Sequence, residues 1–235
     1  MSAERRSEDW SARAPLMLLA GFPEEDASAA VLLEIEEAVL SFSRAAFAAG
    51  RRVTLPGDRL VTPLVAQVAA EYVPPLGSES AGEGPQPLAV ILAEGDEQID
   101  EVLEGSRHVE RAWLGGEPHG YADRHRLTSE AIRLSAPQAA VAVGGDPGMV
   151  EDLDLLRLHE VEMAPIVPTL AGSLREGWER WGPDVTSRVL DEAGWQEFVG
   201  ERAAARRVPY SYLMQHLIAR WDRPKGGASA ELRPD

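Results

Sequence analysis

Apolar and polar positions along this chain fall into blocks whose period changes in a regular order. Leu16 to Ala20 is a short continuous apolar run closed by Gly21-Phe22-Pro23, the pattern of a central parallel strand meeting a turn at its C-terminal end. Val31, Ile35, Ala38, Phe42 and Ala46 then recur at helical spacing and mark one apolar face. Glu24, Glu25 and Asp26 precede that face, where a helix N-terminus favours acids, and Gly50 is placed to cap the C-terminus. Arg52 to Leu55 reads as a second strand with Pro56-Gly57-Asp58 as its exit turn, and Pro63 to Tyr72 as a short helix with proline in its first turn. Pro74 to Pro87 has no period and is rich in Gly, Pro, Ser and Glu, which predicts a surface loop. Leu88 to Leu92 is a third strand, Asp96 to Leu103 a helix, Val109 to Leu114 a weaker strand, Gly115 to Gly120 a loop and Arg126 to Leu134 a helix.

The clearest strand pattern is Ala139 to Val143. It runs into Gly144, Gly145 and Gly148, then into a helix over Met149 to His159, a strand over Ala164 to Val167, and a second small-residue turn at Thr169 to Gly172. Leu174 to Trp181, Val189 to Ala205 and Tyr210 to Trp221 read as closing helices, with Trp178 and Trp181 on one side of the first. Residues 1–14 and 223–235 are polar and irregular and predict loose tails around a single domain over 15–222. Strands alternating with helices imply an α/β fold, a Rossmann-like doubly wound parallel sheet with helices on both faces and ligands at the strand C-terminal ends.

Glycine between a strand and a helix lets a backbone approach a phosphate, and the helix that follows offers N–H groups and a favourable dipole. Gly144, Gly145 and Gly148, with Met149 and Val150 at the helix start, meet that description; a tight turn that binds nothing has the same composition. Glu151 stands where the dipole stabilises any acid, and as a ligand residue it suits a ribose hydroxyl better than catalysis. Asp58 and Asp146 would repel a phosphate if turned inward, so they are expected to face solvent or sugar hydroxyls. Arg124 or Arg126, at a loop-to-helix junction, has the geometry to clamp an anion. His119 and His125 share that region without the spacing of a metal site, and surface or partner contacts are expected of them.

Composition narrows the field. Thirty-nine acids against 23 Lys and Arg give a formal net charge of −16, which works against nonspecific binding to nucleic acid or to an anionic membrane. There is no cysteine, hence no disulfide, thiolate metal site or cysteine nucleophile. No P-loop lysine follows the glycines and no G-x-S-x-G occurs, so neither an ATPase nor a serine hydrolase is expected. The absence of a long apolar run predicts a soluble, cytoplasmic protein with no membrane partner, and neither cofactor nor metal is expected.

The order of these turns resembles the SLOG superfamily, the Rossmann-like group of LOG-type nucleotide-processing enzymes, DprA-like proteins and ligand-sensing domains of bacterial conflict systems. Leu19-Ala20-Gly21-Phe22-Pro23 resembles its first glycine turn, and Leu55-Pro56-Gly57-Asp58 followed by Val61-Thr62-Pro63-Leu64 resembles the second turn and T-P-L helix start of a conflict-associated branch. Gly144-Gly145-Asp146-Pro147-Gly148-Met149-Val150-Glu151-Asp152 resembles the glycine-acid signature, and Pro165 to Gly172 the later strand and turn. In LOG-type enzymes that signature is P-G-G-x-G-T-x-x-E, with glycines on a nucleotide phosphate and a Glu acting in N-glycosidic cleavage. Here Val143 replaces the proline, an extra residue separates the glycines, and Met149 stands in place of threonine, while Arg124, Arg126 and Arg133 all remain candidates for the accompanying arginine.

The resemblance implies a nucleotide or nucleotide-derived signal, NAD-derived signals included, bound by Gly21, Phe22, Gly57, Asp58, Thr62, Gly144, Gly145, Asp146, Gly148, Met149, Glu151, Thr169 and Gly172. It implies a sensor or partner of an effector protein in bacterial defence. A nucleotide N-glycosidase or phosphoribohydrolase using Glu151 and a scaffold with a vestigial pocket are the alternatives. Related folds often form homodimers or larger oligomers, and the helix around Phe42 or the Trp-bearing helices are the faces expected to supply that contact.

Overall fold

The computed structural model describes residues 10, 12–23, 28–73, 85–94, 96–115, 121–145, 148–166, 169 and 208–223. Six strands, β1 (Leu16–Gly21), β2 (Val53–Pro56), β3 (Leu88–Ala93), β4 (Val109–Leu114), β5 (Ala139–Gly144) and β6 (Glu162–Pro165), form one sheet in the order β4-β3-β2-β1-β5-β6 with every pairing parallel. Among the described residues the helices are α1 (Ala29–Ala48), α2 (Val61–Ala70), α3 (Glu97–Leu103), α4 (Tyr121–Ser135), α5 (Met149–Leu158) and α6 (Tyr210–Trp221). This is the Rossmann-like α/β architecture that alternating strand and helix patterns predict.

The apolar runs are continuous because the sheet is covered on both sides. Leu16, Leu18 and Ala20 of β1 and Ala139, Val141 and Val143 of β5 point into a core shared with α1, α2, α3 and α6. Their neighbours Met17, Leu19, Ala140 and Ala142 point the other way, onto α4 and α5 through Leu127, Ala131, Met149, Leu153 and Leu156. A polar residue at any of these positions would be buried on one face or the other. The edge strand β4 differs, with Glu110 and Arg111 exposed and paired to Arg52 and Asp100, charges that discourage another chain from adding to that edge.

Two readings of the helices change. Phe42 is fully buried on the core side of α1, so it supplies no face for a partner copy; the exposed large apolar residues of that helix are Leu32 and Leu33. α4 begins at Tyr121, five residues before the Arg126 start that the pattern gives, because its opening turns are held by polar contacts. Gly50 does follow α1 with φ of 65° as the spacing requires. The segments read as Leu174–Trp181 and Val189–Ala205 lie outside the described residues, as do Glu24 to Asp26 and His119.

Candidate functional site

The chain runs β1 to β4 in one direction across the sheet and then returns to place β5 on the other side of β1. That reversal makes the C-terminal ends of β1 and β5 the topological switch point, the position at which open α/β sheets bind ligands in a crevice. Gly21 and Gly144 are register partners at this point. Gly144 has φ of 79°, and a Cβ on it would sit 2.1 Å from the Gly21 carbonyl oxygen, so only glycine lets the two strand ends meet this closely.

The amides around the turn are committed to the fold. Gly145 N–H donates to the Gly21 carbonyl at 3.0 Å, and Gly144 N–H donates to Thr169 Oγ1 at 2.9 Å. Thr169 is buried and its hydroxyl donates onward to the Ile166 carbonyl at 2.7 Å, locking the exit of β6 against the end of β5. Gly21, Gly144, Gly145 and Thr169 therefore shape the crevice floor. The donors suited to an anion are those of the first turn of α5, which have no acceptor within the helix. Gly148 caps that turn and the Met149 side chain is buried in the core beneath it. Glu151 is exposed on the outer side of the same turn. Asp146 and Gly172 lie outside the described residues.

The second glycine turn has a different job. Gly57 N–H donates to the Ile91 carbonyl at 2.7 Å, and a Cβ there would meet Leu92 and that same carbonyl, so Gly57 packs β2 onto β3. Asp58 Oδ1 accepts from Leu60 and Val61 N–H at 2.8 Å, while Asp58 N–H donates to Thr62 Oγ1 at 2.9 Å. This reciprocal set of bonds holds the start of α2 and engages Asp58 Oδ1 with backbone donors. Asp58→Ala is expected to destabilise the protein by about 1 kcal/mol through loss of the cap, measured by urea unfolding. Phe22 is half-buried against the α1 side of the core.

Sequence reasoning passes over the most buried charge at the crevice. Asp152, fully buried in the first turn of α5, accepts from Arg124 Nε at 2.8 Å, and Arg124 also donates to the Ala20 carbonyl at 3.2 Å near the end of β1. One guanidinium thus joins α4, α5 and β1 at the switch point. Burial pushes the Asp152 carboxyl above the usual carboxylate range, with Arg124, Thr128 and His125 pulling it back. Arg126 instead donates to the Gly115 carbonyl, and Arg133 pairs with Glu130 on an exposed stretch of α4, so Arg124 is the arginine at the crevice. Two neighbouring acids, Glu151 and Asp152, look alike in sequence, and only packing of α5 on α4 decides which one turns inward.

A recess of about 560 Å³ on the outer side of α1 is lined by Glu34, Glu36 and Glu37 with a single cation, Arg44, a net acidic lining unsuited to a phosphate. Among the described residues no group of three or more His, Asp or Glu is placed to hold a metal, and no helix is long and apolar enough to cross a membrane.

Fold and site together define a Rossmann-like α/β protein with a switch-point crevice bounded by an α5 N-terminus and a buried Arg124–Asp152 pair. No protein-family model matches the chain, and no curated protein matches it.

Proposed function

We propose that this chain binds a nucleotide or nucleotide-derived signal, with its phosphate at the first turn of α5 and its sugar toward α4. The observation that carries the reading is the meeting of Gly21 and Gly144 at the reversal of strand order, which sets the α5 N-terminus beside the crevice. The net charge of −16 fits a ligand held by local donors and not by a general basic field. The resemblance of the glycine turns to SLOG domains extends the proposal to a sensing role in bacterial defence, with binding relayed to an effector protein.

Calorimetry against NAD, ADP-ribose, cyclic ADP-ribose isomers, AMP and cyclic dinucleotides tests the reading, and saturable binding of at least one is expected. Val150 is half-buried in the first turn of α5. Val150→Glu adds a charge that the helix dipole tolerates and a phosphate does not, so binding should weaken by roughly tenfold or more while the fold persists. Failure of every compound to bind, or an unchanged affinity in Val150→Glu, would overturn the assignment.

A further inference from the structure

The outward face of α1 carries a pattern that packing on the sheet does not use. At about 100° per residue, Leu33 and Leu40 fall on one line along the helix, two turns and about 10 Å apart, with Glu36 on one side of it and Glu37 on the other. Glu34 lies beyond Glu37, toward the side where Ser41 meets Ser211 of α6. An apolar seam flanked by acids therefore runs along the recess between α1 and the start of α6. Leu33 is 60% exposed, Glu36 and Glu37 are exposed, and Leu40 is half-buried against the core.

α1 is held to the rest of the protein by its other side, through Ile35, Ala38, Val39, Phe42 and Ala46. A helix face turned only to solvent needs neither an exposed leucine nor charges of one sign. Here three acids stand against Arg44, and Arg44 itself lies 3.6 Å from Glu71 outside the recess. The charges select the occupant. A second copy of the chain would bring a formal charge of −16 to an acidic face, and a phosphate or nucleic acid is repelled in the same way. A cationic helix is complementary: an apolar side chain seats between Leu33 and Leu40, and basic side chains flanking it reach the acids, as flanking charges do across a coiled-coil seam.

We propose that the outward seam of α1 docks a basic amphipathic helix of a partner protein, with the partner's apolar stripe on Leu33 and Leu40 and its flanking Lys or Arg on Glu36, Glu37 and Glu34. The surface lies on the α1 side of the sheet, the face opposite α4 and α5, and does not depend on the nucleotide reading.

The probe is a fluorescein-labelled synthetic helix of about eighteen residues, leucine along one stripe and lysine elsewhere, titrated with the full chain at about 0.15 M salt, where long-range attraction is largely screened. Saturable binding in the micromolar range is expected from fluorescence anisotropy, and none for the same peptide with glutamate in place of lysine. Leu33→Asp separates docking from general attraction. It adds a negative charge, so adsorption to an acidic protein would tighten, whereas loss of the apolar contact should weaken binding by roughly tenfold. Glu36→Lys combined with Glu37→Lys should weaken it by about tenfold or more, while Glu101→Lys with Glu104→Lys, the same charge change at exposed positions on and just after α3, should leave it within about twofold. Absence of saturable binding, equal losses for the two charge pairs, or unchanged or tighter binding by Leu33→Asp overturns the proposal. So does a dimer by light scattering that Leu33→Asp dissociates, which would give the seam to a second copy.

Discussion

Arg51→Met is expected to lower the unfolding free energy by about 3 kcal/mol, among the largest losses available to a single side chain outside the apolar core. Arg51 is only 2% exposed, yet its guanidinium donates to the Ala14 carbonyl, to Gln138 Oε1 and to Asp222, and Gln138 in turn donates to the Trp221 carbonyl. Burial pushes its pKa down and Asp222 pulls it back, the balance of a desolvated cation that depends on its partners. Removing it strands two acceptors, the Ala14 carbonyl and Gln138 Oε1, and takes from Asp222 one of its two arginine partners. Asp222→Asn leaves a side-chain oxygen to accept from Arg51, whose bonds to Ala14 and Gln138 persist, so it should cost less, about 1 kcal/mol. Urea unfolding followed by circular dichroism and tryptophan fluorescence measures both; equal losses, or a loss under about 1 kcal/mol for Arg51→Met, would show that the network does not anchor α6.

Gly144→Ala is the second large effect, on the order of 4 kcal/mol. The left-handed backbone costs an alanine about 1–2 kcal/mol. The clash with the Gly21 carbonyl oxygen at 2.1 Å cannot be relieved by a rotamer, since both atoms belong to backbone, and overpacking of this kind costs about 1–3 kcal/mol more. Parting the strand ends then breaks the Gly145 to Gly21 hydrogen bond, worth about 1 kcal/mol. Gly57→Ala is the control. Its φ is not left-handed and its closest neighbour is the movable end of Leu92, so a loss of about 1–2 kcal/mol is expected. A Gly144→Ala protein no less stable than Gly57→Ala would contradict the close approach of β1 and β5.

What the sequence carries of this fold follows from what is local. β1 and β5 are legible because burial on both faces removes polar residues from every position, and β4 is legible as weaker because one edge of it meets solvent. The start of α4 is hidden because Arg124 is held by an acid on another helix, and no periodicity announces an ion pair that distant in the chain. The glycine turns are located correctly by composition, but composition cannot assign their amides: those of Gly57, Gly144 and Gly145 are engaged by Ile91, Thr169 and Gly21. The backbone donors that α2 brings to Asp58 Oδ1 are likewise invisible in composition. The order of strands depends on pairing between β1 and β5, more than a hundred residues apart, and no short stretch encodes it.

Arg13 and Asp222 lie 2.9 Å apart, just before β1 and just after α6, at the sheet edge opposite the crevice. Chain on either side of the 13–222 span is therefore attached at one place, behind the ligand edge. A reporter domain fused there, or a short linker closing the span for circular permutation, would be joined without crossing the switch-point end of the sheet.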